Sequence, residues 1–459
     1  MYLHNLLNEF DIMTTRRNFI KKVSIGTAAA SVGGVLPGFS AKSYNNIVGA
    51  NDKIRMAAIG VNSRGNALAG GFAREENCEI TYVCDVDKRA MDKCSNNVKG
   101  IAGNTPKQEK DIRKLLENKD LDAVIIATPE HWHAPGALMA MKAGKHIYLE
   151  KPTGHNPAEN EMLMDAVKKY KVVAATGMQR RSWPNVINAV NDVRSGLIGD
   201  VFYSKCWYAN NRPSIGVGKV GAIPDWLDWE LWQGPAPRVS NFKDNYLHYN
   251  WHWFYNWGTG ESGNNGVHFI DIARWAMGLN FPTSVNSSGG RYYYKDDWEF
   301  PDTQTIDFEF GNDKMISWEG RSANGRGIEG ATVGAIFYGS KGSLVIGGGN
   351  SYEVYDTKNK QIKKVTSDMG FTEGDITNPT RQLDHYHFSN FLNGIRQGSA
   401  LNADINVGCI SSTLALLGNI AQRTKSSFLT NPVNGRILDN KEAQSMWSRD
   451  YQKGWEMKL

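Results

Sequence analysis

Cysteine is scarce in this chain, with five in 459 residues. Cys78, Cys84, Cys94, Cys206 and Cys409 are odd in number, and no spacing among them resembles a zinc site. A disulfide framework is therefore not expected, and buried apolar thiols are expected instead. Charge of one sign is also missing: 52 Lys and Arg against 47 Asp and Glu leave +5. Part of that sits at the amino terminus, where Arg16, Arg17, Lys21 and Lys22 face only Glu9 and Asp11. No basic stripe remains, so nucleic acid is not an expected partner. No apolar run reads as long enough to cross a bilayer, so no membrane span is expected. Internal repeats and low-complexity segments are absent too, which sets repeat architectures aside. What is present is length enough for two or three domains, each able to bury a core.

The amino terminus carries Thr14-Thr15-Arg16-Arg17-Asn18-Phe19-Ile20-Lys21-Lys22, then a weakly apolar run from Val23 to Val35. Leu36 to Ala41 follows as a small-residue cleavage site. This pattern resembles a twin-arginine export signal over residues 1–41. It implies passage through the twin-arginine translocase and residence in the periplasm or otherwise outside the cytoplasm. That route carries folded proteins, so a cofactor loaded inside the cell and held tightly is expected.

Met56 to Ile59 reads as a buried strand that breaks at Gly60, with a helical pattern beyond it. A strand entering a helix through glycines is how a dinucleotide pyrophosphate is held. Gly60 and Gly65 fit the G-x-G-x-x-G pattern, while Asn62 stands where the middle glycine belongs. Asn tolerates positive φ better than other side chains, so the turn is expected to survive with Asn62 there. Glu79 to Asp85 is a second strand ending in a carboxylate, placed to accept bonds from the adenosine ribose hydroxyls. Asp85 favours NAD, and Lys88 and Arg89 leave NADP open. Strands then alternate with helices: Leu121 to Pro129, Lys145 to Pro152 and Val172 to Ala175 are the remaining strands. The expected unit is a doubly wound parallel sheet over residues 51–176.

From residue 177 the rhythm changes. Val201 to Tyr208, Val285 to Tyr293, Thr303 to Phe310, Lys314 to Arg321, Ala335 to Tyr338 and Ser343 to Ile346 read as strands. They predict an α+β domain over 177–459 with a large, mostly antiparallel open sheet. Gly339-Ser340-Lys341-Gly342-Ser343 lacks phosphate-loop spacing and reads as a hairpin turn. Eight of the fourteen tryptophans fall between Trp207 and Trp275. They either peg large loops or present flat faces to sugar C–H groups, with Trp253 a candidate substrate contact.

Glu150-Lys151-Pro152, together with Ala127-Thr128-Pro129 and Gly266-Val267-His268, resembles the Gfo/Idh/MocA oxidoreductases. That family includes glucose–fructose oxidoreductase and inositol dehydrogenase. The resemblance implies NAD or NADP held by Gly60, Asn62, Ser63, Arg64, Gly65, Asp85, Thr128, Pro129, His133, Glu150, Lys151, Gln179 and Arg181. It implies Lys151 and His268 as the catalytic pair, with Asn264 beside them at the substrate. Lys151 would steady the reacting oxygen, and His268 would take the hydroxyl proton. Asp271, three residues after His268, is expected to orient the imidazole. His131 and His133 form a His-x-His pair without a third ligand, so no metal is expected. The substrate class implied is a sugar or glycoside, and the assembly a homodimer or homotetramer. Two alternatives stay open: an NAD-dependent glycosidase working by transient oxidation and elimination, and a non-catalytic sugar-binding protein of the same fold.

Overall fold

The computed structural model describes residues 53–367 and 381–459. The twin-arginine pattern lies outside the described residues.

Six parallel strands form the first sheet: β1 Ile54–Ile59, β2 Cys78–Cys84, β3 Lys107–Glu109, β4 Ala123–Ile126, β5 His146–Leu149 and β6 Ala174–Thr176. Their order is β3-β2-β1-β4-β5-β6. The order reverses between β1 and β4, which opens a ligand crevice at the strands' carboxyl ends. The helices on its faces are α1 Arg64–Phe72, α2 Lys88–Ala102, α3 Ile112–Leu115, α4 His133–Lys142 and α5 Pro157–Tyr170. Strands β1 and β4 are almost wholly buried, as parallel strands covered on both faces must be. The sequence reading missed β3, whose three residues Lys107, Gln108 and Glu109 carry no apolar pattern.

Register places the functional edge. Ile59 pairs with Cys84 on one side and Ile126 on the other, and Ile126 pairs with Leu149. The next residues, Gly60, Asp85, Ala127 and Glu150, therefore stand in one row. Backbone bonds of 2.9 Å from Gly60 to Cys84, Ala127 to Ile59 and Glu150 to Ile126 fix that row.

After α6 Pro184–Arg194, a nine-stranded sheet follows: β7 Val201–Ala209, β8 Ser284–Gly290, β9 Thr303–Phe310, β10 Lys314–Arg321, β11 Val333–Gly339, β12 Gly342–Ile346, β13 Tyr352–Asp356, β14 Gln361–Val365 and β15 Phe428–Leu429. The order is β14-β13-β12-β11-β7-β10-β9-β8-β15, antiparallel except for the β7–β10 pair. Residues 339–343 form the tight turn between β11 and β12, as expected. Helices α7 Trp229–Gln233, α8 Val267–Met277, α9 Arg381–Gln397, α10 Ile405–Thr424 and α11 Lys441–Ser445 complete the chain. Side chains of α6, α8 and α10 pack with one face of this sheet into the largest core cluster. Helix α10 is long and apolar enough to cross a membrane by length and composition, contrary to the sequence expectation. Most of it is buried in the protein, so it is a core helix. All five cysteines are free and buried.

Between β7 and α8, the stretch 210–260 holds six of the eight tryptophans noted above, the other two being Trp207 in β7 and Trp275 in α8. Trp229 stacks on Trp232 at 4.8 Å, and Trp257 meets both edge-on. This insert is tied to the first sheet: Asp228 N donates to Val86 O at 3.0 Å, His131 N to Trp257 O at 3.1 Å, and the Trp132 indole to Trp232 O at 2.9 Å. The aromatic pegs thus fix a loop that walls the crevice opposite the strand ends.

Candidate active site

A cleft of about 580 Å³ runs along the carboxyl edge of the parallel sheet and under the insert. Its first half is built on the β1–α1 turn. Gly60 has φ +78, and a Cβ there would meet the Thr128 backbone at 2.5 Å. A Cβ on Gly65 would lie 1.9 Å from Gly60 O, so both positions demand glycine. Helix α1 begins without a side-chain cap on its first turn. Its opening N–H groups are therefore available to an anion, with the helix dipole favouring negative charge. Asn62, Ser63 and Arg64 line the cleft there. The turn forms with Asn62 in it, as expected, but not for the reason given, since Asn62 is not at positive φ. Gly60 alone takes the left-handed conformation, and the turn needs no second such residue.

Asp85 stands one strand over. Its oxygens accept the N–H groups of Val61 at 2.7 Å and Asp87 at 3.0 Å. Burial pushes its pKa up to about 6 against those bonds. It is largely ionised at neutral pH and keeps lone pairs for ribose hydroxyls. Thr128 Oγ1, on the next loop, is buried with no hydrogen-bond partner. An open helix start, a backbone-close turn, a ribose-height carboxylate and an orphaned hydroxyl fit a dinucleotide.

The second half holds the reactive groups. Glu150 Oε1 accepts from Arg64 Nε and Gln179 Nε2, each at 3.0 Å, and Oε2 from Lys151 N at 3.2 Å. Burial would raise its pKa, but Arg64 and Lys151 outweigh burial and hold it below the usual range. So Glu150 is a fixed anion that anchors the start of the Lys151–Pro152 turn, whose peptide bond is cis. Lys151 Nζ crosses to the insert side, donating to Asn264 O at 2.6 Å and Asn264 Oδ1 at 3.3 Å. Asn264 Nδ2 donates onward to Tyr249 Oη at 3.1 Å. Burial pulls the Lys151 pKa below its ordinary value.

Ser262–Gly266 is a π turn that widens the entry into α8, and His268 is the second residue of that helix. Such turns recur at functional sites because they re-aim side chains. His268 lines the cleft with Lys151 and Asn264. Its Nδ1 is buried without a partner. Burial, then the charges of Lys151, Arg180 and Arg64, hold its pKa well below the ordinary imidazole value. A neutral imidazole beside a cationic lysine can take a proton while the ammonium stabilises the oxygen left behind.

Several expected residues stand elsewhere. Arg181 does not line the cleft: it forms a buried ion pair with Asp271, at 2.7 and 3.0 Å. Asp271 accepts from Ser411 Oγ at 2.6 Å as well, so it holds Arg181 rather than orienting His268. Gly65 acts behind the cleft, by letting α1 approach Gly60. Trp253 is buried and stacked on Trp298 at 3.8 Å, a peg rather than a sugar platform. Pro129, Gln179 and His133 do line the cleft. The His133 ring sits between Pro152 O at 2.6 Å and Thr128 O at 2.9 Å, bridging two cofactor-side loops. His131 is buried against Trp232 O, and no metal-type cluster occurs among the described residues.

Two family profiles match this chain: the oxidoreductase family, NAD-binding Rossmann fold, over residues 54–178, and the oxidoreductase family, C-terminal alpha/beta domain, over 232–425. The protein belongs to the Gfo/Idh/MocA family. Its parallel sheet is accordingly an NAD-binding Rossmann domain. Among relatives, a glycosyl hydrolase family 109 protein of Shewanella sp. (strain ANA-3) is 30% identical over 210 residues, covering 42% of this chain and 45% of the relative. The alpha-N-acetylgalactosaminidase of Tannerella forsythia is 30% identical over 221 residues, covering 44% and 46%. The chain thus spans about half the length of these relatives. Among solved structures, levoglucosan dehydrogenase in complex with NADH and levoglucosan superposes with a TM-score of 0.62 at 18% identity, covering 82% of this chain and 98% of the other. An oxidoreductase domain protein of Kribbella flavida gives 0.63 at 18%, with the same coverage. These likenesses speak for the Gfo/Idh/MocA fold.

Sequence reasoning missed Arg180, Tyr208, Arg212 and Tyr249, all of which line the cleft. Arg212 pairs with Glu261 at 2.7 Å and donates to Tyr208 Oη at 3.1 Å. Glu130 also lines the cleft, accepts the Thr259 hydroxyl at 2.6 Å, and is pushed up to about 7 by burial. Arg180 was in view, since it sits between Gln179 and Arg181; Tyr208 lies near the end of β7 and Glu130 in a 3₁₀ turn, while Arg212 and Tyr249 lie in a stretch whose sequence shows no such signal.

Proposed function

We propose that the protein is a carbohydrate oxidoreductase that moves a hydride between a ring hydroxyl carbon and NAD. The observation that carries this is the meeting of Lys151 and His268 in one cleft with the β1–α1 turn. The NAD that the Rossmann domain binds supplies the hydride acceptor. His268 takes the hydroxyl proton on its cleft-facing nitrogen as the carbon loses hydride and becomes a ketone. Lys151 donates to the same oxygen, held in place by Asn264. Asn264 and Tyr249 offer further hydrogen bonds to neighbouring hydroxyls. The test is reduced-nicotinamide absorbance with a panel of pyranosides, using wild type and His268→Asn. Activity that survives His268→Asn at the wild-type level would reject this assignment.

The glycosidase relatives favour a second reading, in which the same oxidation is transient and a glycosidic bond is eliminated before reduction back. Reaction in heavy water distinguishes the two, because elimination leaves deuterium on the carbon next to the transient ketone. The twin-arginine pattern supports export to the periplasm through that translocase. The insert's bonds to Val86, Lys88 and Trp132 support a tightly retained nucleotide. Mass spectrometry of small molecules released from the purified protein tests this; finding no nucleotide would end it. Pairing of copies into a homodimer or homotetramer is read from family likeness, and sedimentation tests it.

A further inference from the structure

The arginines around the cleft differ in how their charge is met. Arg64 is paired with Glu150 and Asp384, Arg212 with Glu261, and Arg181 with Asp271. Arg180 forms no ion pair with any described carboxylate. Its contacts are the Trp183 ring at 4.5 Å, the Phe269 ring at 4.8 Å, and a hydrogen bond from Nη1 to Gly348 O. Asp384 acts on it only through space and is already bound by Arg64. A guanidinium has five N–H donors, so most of its bonding capacity stays unused. Arg180 is half-buried at the cleft wall, where a partly desolvated charge without an ion-pair partner is costly. Burial lowers the Arg180 pKa to about 10, which still leaves it fully charged at neutral pH.

Position gives this cation a use. Arg180 lines the cleft with Lys151 and His268, and the Phe269 ring beneath it is the residue next to His268. Lys151 is likewise met only by neutral oxygens, those of Asn264. The anions of this region are otherwise committed: Glu150 to Arg64 and the Lys151 N–H, Glu261 to Arg212, while burial moves Glu130 toward its neutral form. The catalytic half of the cleft therefore carries uncompensated positive charge.

We propose that Arg180 receives an anionic substituent of the substrate, a carboxylate or a sulfate ester on the sugar that meets Lys151 and His268. A carboxylate, or two of the three terminal oxygens of a tetrahedral sulfate ester, can pair with the guanidinium fork, and desolvation by the Trp183 and Phe269 rings strengthens the pairing. This deepens the proposed function and rests on it for where the ring sits.

The test is calorimetry on the nucleotide-loaded protein with methyl glucoside and galactoside, their uronate forms, and their 6-sulfates. Wild type is expected to bind one anionic form at least 30-fold more tightly than its neutral parent. Arg180→Gln is expected to reduce that preference below threefold, and Arg180→Lys to keep part of it. Which anion gains separates carboxylate from sulfate. Equal binding of neutral and anionic forms, binding of none of the six, or an equal loss for all ligands in Arg180→Gln overturns the proposal. The same titrations on Lys151→Met read binding without hydride transfer. An anion preference there, with no turnover by wild type, leaves Arg180 its role and removes the oxidoreductase reading. Turnover of neutral glycosides alone does the reverse.

Discussion

Replacing Lys151 by Met tests the centre of the mechanism, because that ammonium does two things at once. It is the donor aimed at the reacting oxygen, held by Asn264 O at 2.6 Å. It is also, after burial, the leading charge that keeps His268 neutral. Loss of one preorganised donor to a developing oxyanion lowers kcat by about 10²–10³. Met keeps the length of the side chain, and the change removes a half-buried charge that has no ion-pair partner among the described residues. The fold should therefore hold, with a small change in Tm and unchanged nucleotide content.

The second effect has a definite sign. His268 works as a base in oxidation, so activity falls as pH drops through its folded pKa. In wild type that pKa is held well below the ordinary value, so the acid limb of kcat/KM lies below about pH 6.5. Removing a neighbouring cation makes protonation easier and raises the pKa. A unit charge felt across roughly 8 Å at an effective dielectric of ~20 is worth about 2 kcal/mol, or ~1.5 pH units. The variant's acid limb should accordingly move to higher pH by about 1.5 units. A full pH–rate profile of both proteins, with Tm and nucleotide content as controls, decides the matter. A kcat within threefold of wild type, or an acid limb that stays put or moves down, refutes the reasoning.

Asp271→Asn leaves Arg181 buried without its partner and should cost roughly 3–5 kcal/mol in unfolding experiments. Because Asp271 does not orient His268, the variant's acid limb should match wild type; a shifted limb would restore the orienting role. NAD affinity should weaken as pH falls through about 6, where Asp85 gains a proton and loses acceptor capacity; fluorescence titration from pH 5 to pH 8 reads the bend, and a flat profile would contradict it. Trp253→Ala should cost about 3–5 kcal/mol of stability by emptying the stack on Trp298, and a KM effect without loss of Tm would return Trp253 to the substrate site.

The legible parts of this protein were those that the backbone alone dictates. Gly60 and Gly65 announce a turn because no side chain fits there, and strands β1, β2, β4 and β5 follow from buried apolar runs, although the expected ends of the last three lie one to three residues beyond Cys84, Ile126 and Leu149. Register then carries Asp85 and Glu150 to the same edge without any further instruction. The aromatic insert was visible as composition, but composition does not say which ring is a peg. Trp253 and Trp251 are two residues apart, yet Trp253 is stacked away while Trp251 lines the cleft.

What the sequence concealed was competition among side chains brought together from distant positions. Asp271 looked available to His268 because three residues separate them on one helix. It is taken instead by Arg181, ninety residues earlier, and by Ser411, much later. That choice also decides the fate of the neighbouring arginine. Residues 179–182 form a single short 3₁₀ turn, so consecutive side chains point in different directions. With Arg181 turned inward onto Asp271, Arg180 is turned onto the cleft, where no described carboxylate pairs with it. The error over Arg181 and the unpaired charge of Arg180 thus have one physical origin. A motif defines the path of the chain, whereas the pairing of its charges is settled only when the second domain closes over it.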